Sequence, residues 1–144
     1  MTPDPYFEKP APPLPAANPE TDFFWQGARL GVLMILRCQQ CGTYVHFPRP
    51  LCPRCLSFDL APEAVSGRGT PYSFTETHRP FHPFFVDRVP FLLGSVELDE
   101  QSGLRVLSTL VGLPEPEVRI GMAVEVDFEW LTPEFAVPVF KAAR

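Results

Sequence analysis

No stretch of this sequence approaches the roughly 18 consecutive apolar residues that cross a bilayer; the longest apolar run, Val32 to Leu36, has the length of a strand. The N-terminus carries no apolar leader, and the expectation is a cytoplasmic protein with no membrane contact. Positive charge is also scarce. Twelve Lys and Arg face seventeen Asp and Glu, giving a net charge of −5 and a pI near 5.1. That balance excludes bulk electrostatic binding of nucleic acid or of an anionic lipid surface. The usual signatures of catalysis are missing: there is no GxSxG elbow, no P-loop and no HExxH, and there are only three histidines. Cysteine is confined to four positions, so if these hold a metal no thiol is left as a nucleophile. The chain should therefore show no turnover by itself.

What is present is concentrated in residues 37–58, RCQQCGTYVHFPRPLCPRCLSF. Cys38 and Cys41 form one CxxC pair and Cys52 and Cys55 a second, with ten residues between them. Two intervening residues let a tight turn aim both sulfurs at one point. A ten-residue return is long enough for a hairpin that sets the second pair opposite the first. Four converging thiolates suit a tetrahedral ion, with Zn–S near ~2.3 Å. Gly42 stands where backbone amides folding back on sulfur call for a positive φ, and Pro53 fixes the second turn. Disulfides would need an oxidising compartment and a redox pair a βαβ setting, and neither is indicated. The expectation is one structural zinc, with a rubredoxin-type iron as the alternative on the same ligands. His46 is expected on the hairpin surface. Val45, Phe47, Leu51 and Leu56 make only a thin core, so the metal should supply most of this lobe's stability.

Nineteen prolines and thirteen phenylalanines point to extended segments and aromatic contact surfaces rather than a helical bundle. Residues 1–18 read as a polyproline-like arm, either a free tail or a strap that orders on a partner through Tyr6, Phe7 and Leu14. Asn18-Pro19-Glu20 then offers a cap, a first-position proline and a first-turn acid for a short helix over about 19–28. This helix carries Phe23, Phe24 and Trp25, which cannot share one face, so it should be covered on two sides. A strand over 32–37 delivers Cys38, and helix and ribbon together occupy 19–60.

Residues 61–144 read as β only. A connector over 61–69 ends in Ser66-Gly67-Arg68-Gly69, and strands are expected over 70–78, 91–98, 104–111, 123–130 and 136–141. In the fourth, Val124, Val126, Phe128 and Trp130 alternate with Glu125, Asp127 and Glu129, which predicts one face in a core and one in water. Five short strands with Gly-marked bends fit a small closed barrel of the OB type; an immunoglobulin-like sandwich would usually need about seven. The fold class is thus mainly β: a short helix, a zinc ribbon and a five-stranded OB-fold barrel.

One loop mixes cations with aromatics: His78-Arg79-Pro80-Phe81-His82-Pro83-Phe84-Phe85, after the first barrel strand. OB folds commonly use this region for ligands. It could stack on a base, hold a phosphate through Arg79, anchor a partner, or simply cap an open barrel end. Arg68 and Arg88 are further phosphate candidates, since guanidinium forks match phosphate oxygens. Phe23, Phe24 and Trp25 of the helix and Phe81, Phe84 and Phe85 of the loop are candidate interface anchors, the helix for self-association and the loop for a second protein. The acidic stripe of the fourth strand reads as a solvated face.

The order FFWQG, RCQQCG, FPRPLCPRC, SGRGT, SVELDE and IGMAVEVDFEW resembles the acyl-CoA-associated OB-fold proteins with an N-terminal rubredoxin-like zinc ribbon, the domain-of-unknown-function thirty-five family. The resemblance covers roughly residues 19–141. It implies a non-catalytic accessory subunit of a thiolase-like enzyme, sharing an acyl-CoA thioester with that partner, as in the aldolases that shorten steroid side chains. It does not choose among thiolytic, Claisen and retro-aldol chemistry. The alternative from another class is a single-stranded nucleic-acid binder, since OB barrels and zinc ribbons recur there, but the acidic pI opposes it. A rubredoxin-like electron carrier is the third reading.

Overall fold

The computed structural model describes residues 10–16 and 18–144. The expectations for Tyr6 and Phe7 lie outside the described residues. One helix, α1 (Asp22–Arg29), precedes β1 (Met34–Cys38), β2 (Tyr44–Val45) and β3 (Leu60–Ala64), which form a three-stranded sheet in the order β2-β1-β3. The remaining strands are β4 (Arg68–Thr77), β5 (Phe91–Leu98), β6 (Arg105–Leu110), β7 (Val124–Thr132) and β8 (Phe135–Ala142). They close into a barrel in the order β4-β5-β6-β8-β7. Every contact in it is antiparallel except β6–β8, which is parallel and carries a single ladder pair, Leu110↔Phe140. Among the described residues no helix is long and apolar enough to cross a membrane.

The helix starts later than its cap signal suggests. Asn18 still organises the entry: its side-chain oxygen accepts the Glu20 N–H (2.9 Å), and its own N–H reaches the Asp22 carboxylate (3.1 Å). Those bonds shape a turn, and regular α-helix begins only at Asp22. Phe24 is buried, while Phe23 and Trp25 pack against the core from either side of it. Trp25 meets Phe24 edge-on at 4.8 Å and Phe135 at 5.3 Å, which fastens α1 to the β7–β8 hairpin.

Two expectations are corrected in the strands. The connector over 61–69 contains β3, whose five residues pair with β1 from Met34↔Ala64 to Cys38↔Leu60. Pro62 is tolerated because β3 is an edge strand. In β7, Trp130 was expected on the core face but is 53 % exposed. The ladder with β8 keeps one register as far as Trp130↔Ala136, so Trp130 is on the alternating face as expected but stands at the hairpin end of β7, beyond Val124, Val126 and Phe128, which meet the core. The linker glycine Gly67 has φ of 77°, and a Cβ on it would stand 2.2 Å from Val126 Cγ1. Its carbonyl accepts the Val126 N–H at 2.8 Å, so this bend lies directly on β7.

One core runs through both lobes. Phe24, Leu33 and Ile35 from the helix and ribbon join Val96, Leu98, Val106, Leu110, Val124 and Phe140 of the barrel in one cluster. A second tie is polar: Gln101, in the β5–β6 turn, accepts the Tyr44 N–H (2.8 Å) and donates to the Tyr44 carbonyl (3.1 Å).

Candidate metal centre and barrel cleft

The two CxxC turns are built alike. In each, an N–H four residues on bonds back to the first cysteine's carbonyl, Gly42 to Cys38 and Leu56 to Cys52, both at 2.9 Å. The first cysteine's own N–H bonds to a carbonyl five residues on, Cys38 to Thr43 at 2.8 Å and Cys52 to Ser57 at 2.9 Å. Gly42 has the expected positive φ, 77°, and Leu56 occupies the equivalent position at 64°. That second left-handed residue was not foreseen, because no glycine announces it.

All four sulfurs lie within 4.8 Å of one another. Cys38 and Cys55 Sγ are 3.5 Å apart, and Cys41 and Cys52 Sγ 3.6 Å. A tetrahedron of sulfurs at ~2.3 Å from a central ion has edges near ~3.8 Å, so the cluster has the dimensions of a metal cage. Its electrostatics fit a dication as well. The Thr43 hydroxyl and backbone N–H hold the Cys41 thiol down to about 6, and the Cys41 N–H lowers Cys38. Cys55 is favoured as a thiolate by the Ser57 N–H, yet burial and hydrogen bonding with the other three thiols push it up to about 12. Four sulfurs this close cannot all ionise without a cation between them.

His46 is not among the ligating group, and it is not a surface hairpin residue. Its ring stacks on Phe24 at 5.6 Å and tilts against Phe47 at 4.8 Å, and burial pushes its pKa down to about 4. Phe47 and Leu56, expected in a thin lobe core, are both 66 % exposed, which leaves Val45 as the buried apolar side chain of that set.

The aromatic loop divides. His82 caps a 3-10 turn, Pro83–Phe85, by accepting the Phe84 N–H on Nδ1. Phe84 is buried beneath the Arg88 guanidinium, 4.6 Å from its ring, and Phe85 packs between Phe84 and Phe91. Phe81 is 82 % exposed, with Arg79 over its ring at 5.4 Å. The four cationic candidates do not converge. Arg68 stands at the start of β4, whereas His78 and Arg79 follow its far end. His78 pairs with Glu76, and Arg88 pairs with Glu129. The acidic stripe of β7 is answered there and by Lys141 at Asp127 (3.3 Å).

A cavity of about 380 Å³ that the sequence did not signal follows the seam between β6 and β8. With one ladder pair the two strands diverge; Ser108 Oγ donates to the Pro138 carbonyl at 2.6 Å across the gap. Phe24, His46 and Phe84 wall the cleft, and Val106 and Val139 line it from the barrel.

Two family descriptions match adjoining parts of the chain: the ChsH2 rubredoxin-like zinc ribbon domain over residues 25–61 and the ChsH2 C-terminal OB-fold domain over 62–129. A solved structure titled "Ltp2-ChsH2(DUF35) aldolase" superposes with a TM-score of 0.81 at 37% identity, covering 91% of this chain and 100% of that one. The chain belongs to the ChsH2-type DUF35 family. Two curated members of similar sequence are longer. The "Probable enoyl-CoA hydratase alpha subunit" of Thermomonospora curvata is 39% identical over 91% of this chain and 40% of its own length. The "3-oxo-4,17-pregnadiene-20-carboxyl-CoA hydratase alpha subunit" of Mycobacterium tuberculosis is 36% identical over 79% of this chain and 35% of its length. The chain thus spans well under half the length of these two relatives.

Proposed function

We propose that this chain is a non-catalytic accessory subunit of a thiolase-like enzyme that acts on acyl-CoA thioesters in the cytoplasm. The observation that carries the reading is the match, over 91% of this chain, to the structure titled "Ltp2-ChsH2(DUF35) aldolase". The relatives titled hydratase alpha subunits, one for a steroid-derived CoA thioester, support the acyl-CoA reading. Retro-aldol cleavage of a steroid side-chain thioester is the partner reaction we favour. Within the described residues the four cysteines converge on one another, which supports a ligating rather than a nucleophilic role for them.

The ion we assign to Cys38, Cys41, Cys52 and Cys55 is zinc, in keeping with the zinc-ribbon match. Bound there it would have four protein ligands and no open position, so its contribution is structural. Phe81, exposed under Arg79, is the anchor we propose for the partner, and for self-association we propose the outer face of α1 beside the partly buried Phe23 and Trp25. Co-expression of the chain with a thiolase-like protein from the same operon tests the reading. Co-purification at a fixed stoichiometry is expected; separate elution at micromolar concentration contradicts it.

A further inference from the structure

We infer that the cleft along the β6–β8 seam binds the apolar acyl portion of a thioester, and that the nucleotide end is held elsewhere. This rests on the acyl-CoA reading above and names which part of the ligand this chain takes.

The cleft is a built feature rather than a packing fault. At about 380 Å³ it falls in the ~300–1,000 Å³ range of small-molecule sites. It is also held open: Pro138 has no N–H to pair with β6, and its carbonyl is bridged by the Ser108 hydroxyl, so the strands cannot zip shut from that point.

The chemistry of the lining selects hydrocarbon. Phe24, Phe84, Leu107 and Val139 contribute carbon surface, and the two charged side chains that line it, Arg88 and Glu129, are paired with each other. Phosphates are recognised by guanidinium or ammonium groups free to form charge-assisted bonds. Arg88 is committed to Glu129 and to the Phe84 ring, which removes it as a phosphate ligand. Leu107 and Phe47, 59 % and 66 % exposed, extend the apolar surface outward, so the acyl group enters from the solvent side where a partner would present it.

Trp25 lines the cleft and the other tryptophan, Trp130, does not, which supplies a reporter. In the Trp130→Phe background, Trp25 emission is followed while the full metal-loaded chain is titrated with decanoyl-CoA, decanoyl-N-acetylcysteamine and free CoA. Both decanoyl thioesters should give a saturable shift with similar affinity, and CoA none. Leu107→Asp, at an exposed position, should weaken both at least about tenfold while circular dichroism and metal content stay unchanged. A response to CoA equal to that of decanoyl-CoA, silence toward both decanoyl probes, or indifference to Leu107→Asp overturns the inference. If the chain co-purifies with its thiolase-like partner but Trp25 stays silent, the cleft assignment fails and the accessory reading stands. If the acyl probes bind and no such partner is captured, the accessory reading fails alone.

Discussion

Leu56 is the residue that the second metal turn forces into a left-handed conformation, where an L side chain costs roughly 1–2 kcal/mol. It is mostly exposed, so little packing offsets that cost. Leu56→Gly is therefore expected to raise the thermal midpoint slightly, by up to about 1 kcal/mol of stability, with metal content unchanged. Gly42→Ala, at the matching position, should lower stability by about 1 kcal/mol or more in the same melt. His46 makes a pH prediction. Its folded pKa of about 4 lies below the ordinary 6.5, so between these values the unfolded chain binds the extra proton. Its contribution is complete above about pH 6.5 and is lost as pH falls toward 4, on the order of 2–3 kcal/mol. Denaturant titrations of wild type and His46→Phe should differ in their acid slope; the comparison separates the histidine from protonation of the cysteines. Equal slopes would mean the ring is not held neutral. Neither residue could be read from sequence, because a leucine does not advertise φ and a histidine beside a metal ribbon gives no sign of the helix it stacks on.

At the scale of elements, the ribbon has two parts with different supports. Its base, β1 and β3, is anchored through Leu33 and Ile35 in the shared core, whereas the tip from Cys38 to Phe58 buries little besides Val45, Cys38 and Cys52. Metal removal by a chelator, or Cys38→Ser, should abolish amide protection in that tip while β4–β8 keep theirs, since ligation free energy there is folding free energy. Loss of all protection together would show that the metal supports the barrel too. Gly67→Ala should destabilise the barrel itself, because the methyl would collide with Val126 at a positive φ. In the aromatic loop, Phe84→Ser removes a buried ring and should cost about 3 kcal/mol or more by denaturant melt, while Phe81→Ser should leave the fold intact and weaken only partner binding. The barrel strands were legible from alternation, and the metal set from spacing. β3 was not, since a proline and a glutamate in an edge strand break the pattern. The cleft was not either: its walls come from the helix, the hairpin, the 3-10 turn and the barrel strands, and only the fold brings those together.

At the scale of the molecule, helix, ribbon and barrel act as one body. A common hydrophobic cluster joins them, and Gln101 grips both backbone groups of Tyr44 from the barrel's β5–β6 turn. This body is acidic, with the cysteine cluster in the ribbon and exposed Phe81 in a loop of the barrel. Its family match supports the accessory role proposed above. The measurement that tests this most directly is acyl-CoA turnover by the thiolase-like partner as the purified chain is titrated in. The account predicts no turnover by the chain alone, little by the partner alone, and a rise that saturates at a fixed ratio of the two. Turnover by the contamination-free chain, or a partner rate indifferent to its presence, would contradict it.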